Sequence, residues 1–267
     1  MGTISIKSWP HLTLYGDLNM RPFRNAWMLE EVGLGYHHVS CKPWSTLAKS
    51  VHPLGKVPAL VVKDDDNQQQ FVVVESAAIN TFLGDLVREI EGNKRTNDDV
   101  SSNEPSILLV PPPATQLRAK YDSLTMFIMT ELDSPLWIHR KHHDLKDVFG
   151  EAPIAVAEAK RQFENALDAI ELEINGESGY LLSSGFSACD ILLANCCFWA
   201  QQIGWLAKSP LNESISSIVG DVTKSKSPTP KLAAYLARCR RRDAFVKANE
   251  LRKDRVNERK EHHRSKI

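Results

Sequence analysis

The segment LTLYGDLNMRPFRNAW, residues 12–27, gathers Tyr15, Asn19, Met20 and Arg21 into a turn between a short strand and the start of a helix. Unpaired amides and the helix dipole favour negative charge at such a place, so the turn suits an anion or a thiolate. It contains no Cys and no Ser. Chemistry there would have to come from the Tyr15 hydroxyl, from the Asn19 amide or from backbone amides, because the thioether of Met20 is no donor.

Three further groupings carry chemical meaning. In HPLGKVPAL, residues 52–60, Pro58 opens a strand, where a proline is tolerated if its missing amide is not needed by the ladder. A cis Val57–Pro58 bond would turn the Val57 backbone outward as a partner for an extended peptide; a trans bond would leave an ordinary turn. Glu75 and Ser76 stand at a strand-to-helix junction. The Ser76 hydroxyl and first-turn amides could hold a carboxylate and Glu75 an amine, or the pair could simply cap the helix. Ser187 and Asp190 have capping-box spacing, flanked by Phe186 and Ile191, and read as a structural helix start. His139 and His143, four residues apart, share a helix face that could bind a metal. With no third ligand evident, no metal is expected and the histidines read as solvated.

The elements that must position these residues follow from periodicity. HLTLYG and YHHVSC read as strands around a helix in which Phe23, Ala26, Trp27, Leu29 and Val32 recur near helical spacing. Pro22 suits the first helical position and Gly33 the stop. VPALVV and QFVVV follow as strands joined by the polar turn KDDDNQQQ, then ESAAINTFLGDLV as a helix. The order βαβ-ββα implies a parallel pair extended by a hairpin, with helices covering the sheet: an α+β domain over residues 11–88. Residues 89–113, polar and ending in a proline triplet, read as the linker. Residues 114–248 read as all helical, with one long segment bent near Pro135, and 249–267 as a basic tail, helical and then frayed.

Bulk composition excludes several classes. Formal net charge is zero, so no global field argues for nucleic acid or a membrane surface. The basic tail is interleaved with Glu250, Asp254 and Glu258, which favours a solvated helix and makes nucleic acid an unlikely partner. The longest apolar run, ILLANCCFWA, is too short to cross a bilayer. No secretory leader is legible at the start, and the five cysteines form no paired or metal-type spacing. A reduced, cytoplasmic location is expected.

Taken together, LYG…RPFRNAWMLEEVGLGYHHV, HPLGKVPAL, ESAAI, GFSACDILLANC and PKLAAYLARCRRRDAF resemble the cytosolic glutathione transferase superfamily over residues 11 to 248. The resemblance implies a thioredoxin-like N-terminal domain, an all-helical C-terminal domain and a homodimer. It implies that Val57, before a cis Pro58, pairs with the cysteinyl backbone of glutathione. Glu75 and Ser76 would hold the γ-glutamyl amine and carboxylate, Lys56 would lie near the glycyl end, and His52 would assist. Tyr15 falls where tyrosine-type members carry their catalytic phenol, and Met20 where other members carry Ser or Cys. Lowering a thiol pKa from about 8.5 to about 6.5 needs about 2.7 kcal/mol, more than a helix start usually supplies, so Tyr15 or Asn19 would have to donate. Met20, Tyr121, Phe127, Met129, Trp137 and His139 are the expected contacts for a small, mostly apolar electrophile. Glutathione would be a co-substrate, with no metal. The alternative is a glutathione-binding or partner-binding protein with weak or no catalysis, which the absent Ser or Cys keeps open; that absence also counts against disulfide reduction.

Overall fold

A computed structural model of the chain describes residues 10–63, 70–95, 108–208 and 225–264. The hairpin turn, the middle of the linker, the first nine residues and the last three lie outside the described residues. The chain forms two compact units, one running to Pro112 and resuming at Arg241, the other spanning Pro113–Arg240.

In the first unit, β1 (His11–Tyr15), α1 (Pro22–Glu31) and β2 (His37–Val39) form the parallel βαβ turn. A six-residue helix, α2 (Thr46–Val51), follows; its N-cap Ser45 Oγ accepts from Ala48 N–H at 3.2 Å. At fewer than two turns, it is too short to show a periodicity in the sequence. β3 (Ala59–Lys63) and β4 (Gln70–Val74) are antiparallel, giving the order β2-β1-β3-β4. β1 pairs with β3 so that Tyr15 lies opposite Ala59, the residue after Pro58.

Leu12 and Leu14 of β1 are buried while Thr13 and Tyr15 are half-buried, the alternation a covered sheet demands. α1 begins with Pro22 and turns off at Gly33, whose φ of +66° is one that glycine adopts without steric cost. Its burial is not confined to the apolar stripe: Arg24 and Asn25 are as deeply buried as Trp27 and Leu29.

α3 (Ser76–Arg95) extends past residue 88, so the first part of the expected linker is helix, anchored by buried Leu86 and Ile90. The far end of the linker is also fixed. Arg88 Nη1 donates to the Val110 carbonyl at 2.9 Å, and Arg88 pairs with Asp85. Gly84 admits the approach of Val110, since a Cβ there would sit 2.4 Å from Val110 Cγ2.

The second unit is helical: α4 (Gln116–Phe127), α5 (Ser134–His139), α6 (Lys146–Phe149), α7 (Pro153–Leu172), α8 (Ala188–Gln202) and α9 (Pro230–Arg240). Near Pro135 the hydrogen bonding departs from that of an α-helix: a π-helical segment, Ile128–Asp133, precedes α5, and a second, Arg140–Asp144, follows it. Extra-wide turns of this kind release the backbone strain of an inserted residue. α8 begins at Ser187, whose N–H and Oγ–H both donate to Asp190 Oδ2, at 2.9 and 2.8 Å. Leu181 N–H and the Tyr235 hydroxyl donate to Asp190 Oδ1, so the carboxyl also ties the preceding loop and α9 to this helix start.

The last helix, α10 (Asp243–Arg264), belongs to the first unit, not to the helical one. α10 starts ahead of the basic tail, and its first turn carries Phe245, whose ring lies 4.9 Å from Trp27 and 5.6 Å from Phe23 of α1. Arg242, just before it, forms a two-pronged pair with Glu31 at 2.6 and 2.7 Å. Among the described residues no helix is long and apolar enough to cross a membrane.

Candidate active site

The turn after β1 is built on Gly16 and Asp17. Gly16 has φ +134°, its N–H donates to Val39 O at 3.0 Å, and its own carbonyl accepts from His38 Nε2 at 2.8 Å. A Cβ on Gly16 would fall 2.4 Å from Pro22 Cγ and 2.9 Å from Val57 Cβ. Only a glycine lets the start of α1 and the Val57 loop close together here, and this approach joins two of the expected groupings within one unit. The Val57–Pro58 bond is cis.

Asp17, buried, holds the turn. Its Oδ1 accepts both the backbone N–H and the Nδ2–H of Asn19, each at 3.0 Å. One of the two Asn19 amide hydrogens is therefore directed at a carboxylate. Tyr15, at the end of β1, is half-buried, and its hydroxyl has no hydrogen-bond partner among the described residues. Met20, five residues further on, is partly exposed, and its N–H caps the turn by donating to Asp17 O.

On the other side of the Val57 loop, Lys56 is exposed and His52 is buried. Leu54 N–H donates to His52 Nδ1 at 3.0 Å, and Gly55 N–H to the His52 carbonyl at 2.8 Å. The histidine thus shapes the loop from below, with Nε2 left as the protonated nitrogen.

At the head of α3, Glu75 is exposed and caps the helix with its carbonyl, which accepts from Ile79 N–H at 2.9 Å. Its φ of +69° is in the left-handed region, costly for a residue with a Cβ, and such strain is most common at ligand-binding positions. Ser76 is buried; Arg24 Nη1 donates to its Oγ at 3.3 Å and Asn25 Nδ2 to its carbonyl at 2.9 Å. Asn25 Nδ2 also reaches Asn80 Oδ1 at 2.7 Å, locking α1 to the first turn of α3. Asp17, Arg24 and Asn25 are absent from the sequence-based set of site residues. One available signal was that Arg24 and Asn25 stand between Phe23 and Ala26 in an otherwise apolar start of α1.

In the second unit the expected electrophile contacts divide. Tyr121 is wholly buried, with the Arg118 guanidinium 5.8 Å from its ring centroid. Phe127, Met129 and Trp137 are partly exposed, Trp137 lying against Phe149. His139 is not solvated, as its spacing with His143 suggests, but buried, with its ring edge-on to Trp205 at 5.2 Å and stacked on His143 at 4.5 Å. Burial pushes its pKa below the usual histidine value. Asp144, a third group the sequence spacing does not reveal, stands beside both imidazoles.

A parallel and antiparallel four-stranded sheet with a cis proline before β3, a capped helix after β4 and a helical second unit defines a thioredoxin-like domain joined to an all-α region, the fold of glutathione transferases. Residues 22–86 match the family model described as the glutathione S-transferase N-terminal domain. The chain is 24% identical over 203 residues to glutathione S-transferase 1 of Saccharomyces cerevisiae, covering 70% of this chain and 80% of that protein. Among solved structures, a glutathione transferase from Methylococcus capsulatus superposes with a TM-score of 0.63 at 20% identity, over 90% of this chain and 98% of the other. Ure2p in complex with glutathione gives 0.65 at 16% identity, over 90% and 94%. URE2P8 of Phanerochaete chrysosporium, with oxidized glutathione, gives 0.65 at 17%, over 93% and 97%. The match over residues 22–86, the yeast relative and the shared fold all support the glutathione transferase superfamily.

Proposed function

We propose that the protein is a glutathione transferase, joining the thiolate of glutathione to small, mostly apolar electrophiles. The observation that carries this reading is the contact of Gly16 with Val57: the backbone edge suited to a cysteinyl residue adjoins the turn that holds Tyr15 and Asn19. A tripeptide paired to Val57 would present its thiol to that turn. The γ-glutamyl end would reach Ser76 and Glu75, and Lys56 and His52 would serve the glycyl end. Because Ser76 Oγ accepts from Arg24, its own proton is free to point at a carboxylate.

Of the two thiol donors the Tyr15 hydroxyl is the stronger candidate, since Asn19 already gives one amide hydrogen to Asp17. A hydrogen bond to a charged sulfur worth about 1.5–3 kcal/mol, added to the end of α1, matches the stabilisation a thiolate needs near neutral pH. Met20 offers apolar surface to the electrophile, and Phe127, Met129 and Trp137 are proposed as further apolar contacts. A detoxifying role in the cytoplasm and a homodimeric assembly complete the reading.

One observation favours a second reading, glutathione binding with weak or no catalysis. The Asp17 carboxylate, fixed in the turn, opposes a second negative charge nearby. The deciding experiment is retention on immobilised glutathione, followed by conjugation of an aromatic halide. No retention refutes both readings, and retention without turnover leaves the second.

A further inference from the structure

The π-helical segment Arg140–Asp144 changes which side chains share a face. In an α-helix residues i and i+4 align while i+5 points well aside. In a π turn the backbone bond runs from i+5 to i, as Leu145 N–H to Arg140 O does here at 2.9 Å, so the residue five along comes up over the first. Asp144 is thereby carried over His139, beside His143.

The resulting geometry is compact. Asp144 Oδ1 lies 2.9 Å from His143 Nδ1 and 3.8 Å from His139 Nδ1, and one ligand atom from each of the three residues falls within 4.8 Å of the others. A zinc ion with bonds of about 2.0–2.1 Å holds tetrahedral ligand pairs about 3.4 Å apart, so the observed separations bracket what it needs. His139 Nδ1 is buried and has no hydrogen-bond partner, an orphaned lone pair or N–H of the kind folded proteins avoid unless something else satisfies it. Trp205 and the stacked His143 ring hold that imidazole in place. Arg140 Nη1, 3.5 Å from Asp144 Oδ2, engages the outer oxygen and leaves Oδ1 toward the histidines.

We infer that His139, His143 and Asp144 form a binding site for a divalent transition-metal ion of the Zn2+ class, with a fourth position open to water. Two imidazoles and one carboxylate suit Zn2+, Co2+ or Ni2+ and disfavour Mg2+ and Ca2+, which take oxygen ligands. His143 and Asp144 are exposed, so an ion enters from solvent and the side chains close on it by small rotations, while His139 is the fixed ligand. The site stands apart from the glutathione reading and does not depend on it.

The test is a titration of the metal-free full-length chain with Zn2+ against a chromophoric chelator, repeated with Co2+ to read its visible absorption. One ion per chain is expected, with affinity at least about tenfold weaker in His143→Ala and in Asp144→Asn, losses of the size seen when metal-site groups are removed. His142→Ala, whose ring bonds to the Gly150 carbonyl, leaves affinity unchanged. Both test positions are at the surface, so the variants fold. Absence of stoichiometric binding overturns the site, as does wild-type affinity in either His143→Ala or Asp144→Asn; in the latter case a plain histidine pair is the binder.

Discussion

Arg24 Nη1 donates to Ser76 Oγ across 3.3 Å, both side chains buried, joining the third residue of α1 to the first turn of α3. A guanidinium in that position does two things. It fixes the hydroxyl oxygen as an acceptor, so that the Ser76 proton points away, and it adds positive potential beneath a helix start that already attracts anions. A free amino-acid carboxylate would meet a preorganised donor there.

Ser76→Ala removes that donor while leaving the α3 amides in place. A hydrogen bond to a carboxylate is worth about 1.5–3 kcal/mol, so calorimetry should show glutathione binding weakened by about 10- to 150-fold. Ser76→Thr keeps the hydroxyl and should retain most of the affinity. Equal binding by wild type and Ser76→Ala would remove Ser76 from the site.

Tyr15→Phe should raise the pKa of bound glutathione thiol by about 1–2 units, the equivalent of one charged hydrogen bond. The measurement is thiolate absorbance across pH, or the acid limb of the conjugation rate. Asn19→Ala should move it less, because that amide is partly committed to Asp17. The opposite ranking would reassign the donor.

Glu75 separates backbone strain from ligand contact. Its left-handed φ of +69° favours glycine by about 1 kcal/mol, so Glu75→Gly should hold or raise stability while weakening glutathione binding. Glu75→Gln keeps the strain and removes only the charge, so binding should fall with no gain in stability. A stability loss in Glu75→Gly would mean the carboxylate supports the fold.

What was legible in the sequence was short in range. Pro22 and Gly33 bracket α1 by local conformational rules, and Val57–Pro58 and Glu75–Ser76 sit at strand ends visible in the pattern. What escaped depends on partners far along the chain. Arg24 meets Ser76 52 residues on, and Arg242 meets Glu31 at a separation of 211, so neither polar residue announces its burial. Asp144 was hidden differently: an α-helical period turns it off the His139 face, and only the π turn restores it. The fold follows from periodicity, whereas the site's supporting groups follow from tertiary packing.

The Glu31–Arg242 pair tests the return of α10 to the first unit. Glu31 is 4% exposed at its side chain and Arg242 24%, and Trp27 Nε1–H also donates to Glu31 at 2.9 Å. Arg242→Met strands a buried carboxylate with that one donor, a loss of about 3 kcal/mol by analogy with broken buried pairs. Chemical denaturation should show it, and pairing the change with Glu31→Met should recover much of it. An unaffected Arg242→Met would mean that Phe245 packing alone seats the helix.

Asp190 should give stability a measurable pH dependence. Burial pushes its carboxyl up to about 6 from 3.8, against the lowering effect of the donors from Leu181, Ser187 and Tyr235. Between those values the native state holds a proton the unfolded chain has released, so its contribution is complete below about 4 and is lost as pH rises through 6. Two units correspond to about 3 kcal/mol. Asp190→Asn cannot titrate and loses an acceptor, so it is less stable than wild type throughout. Its deficit should narrow as pH rises from 4 to 7 in denaturant titrations. A deficit that widens instead would show that the four hydrogen bonds outweigh burial and that the native state prefers the carboxylate ionised.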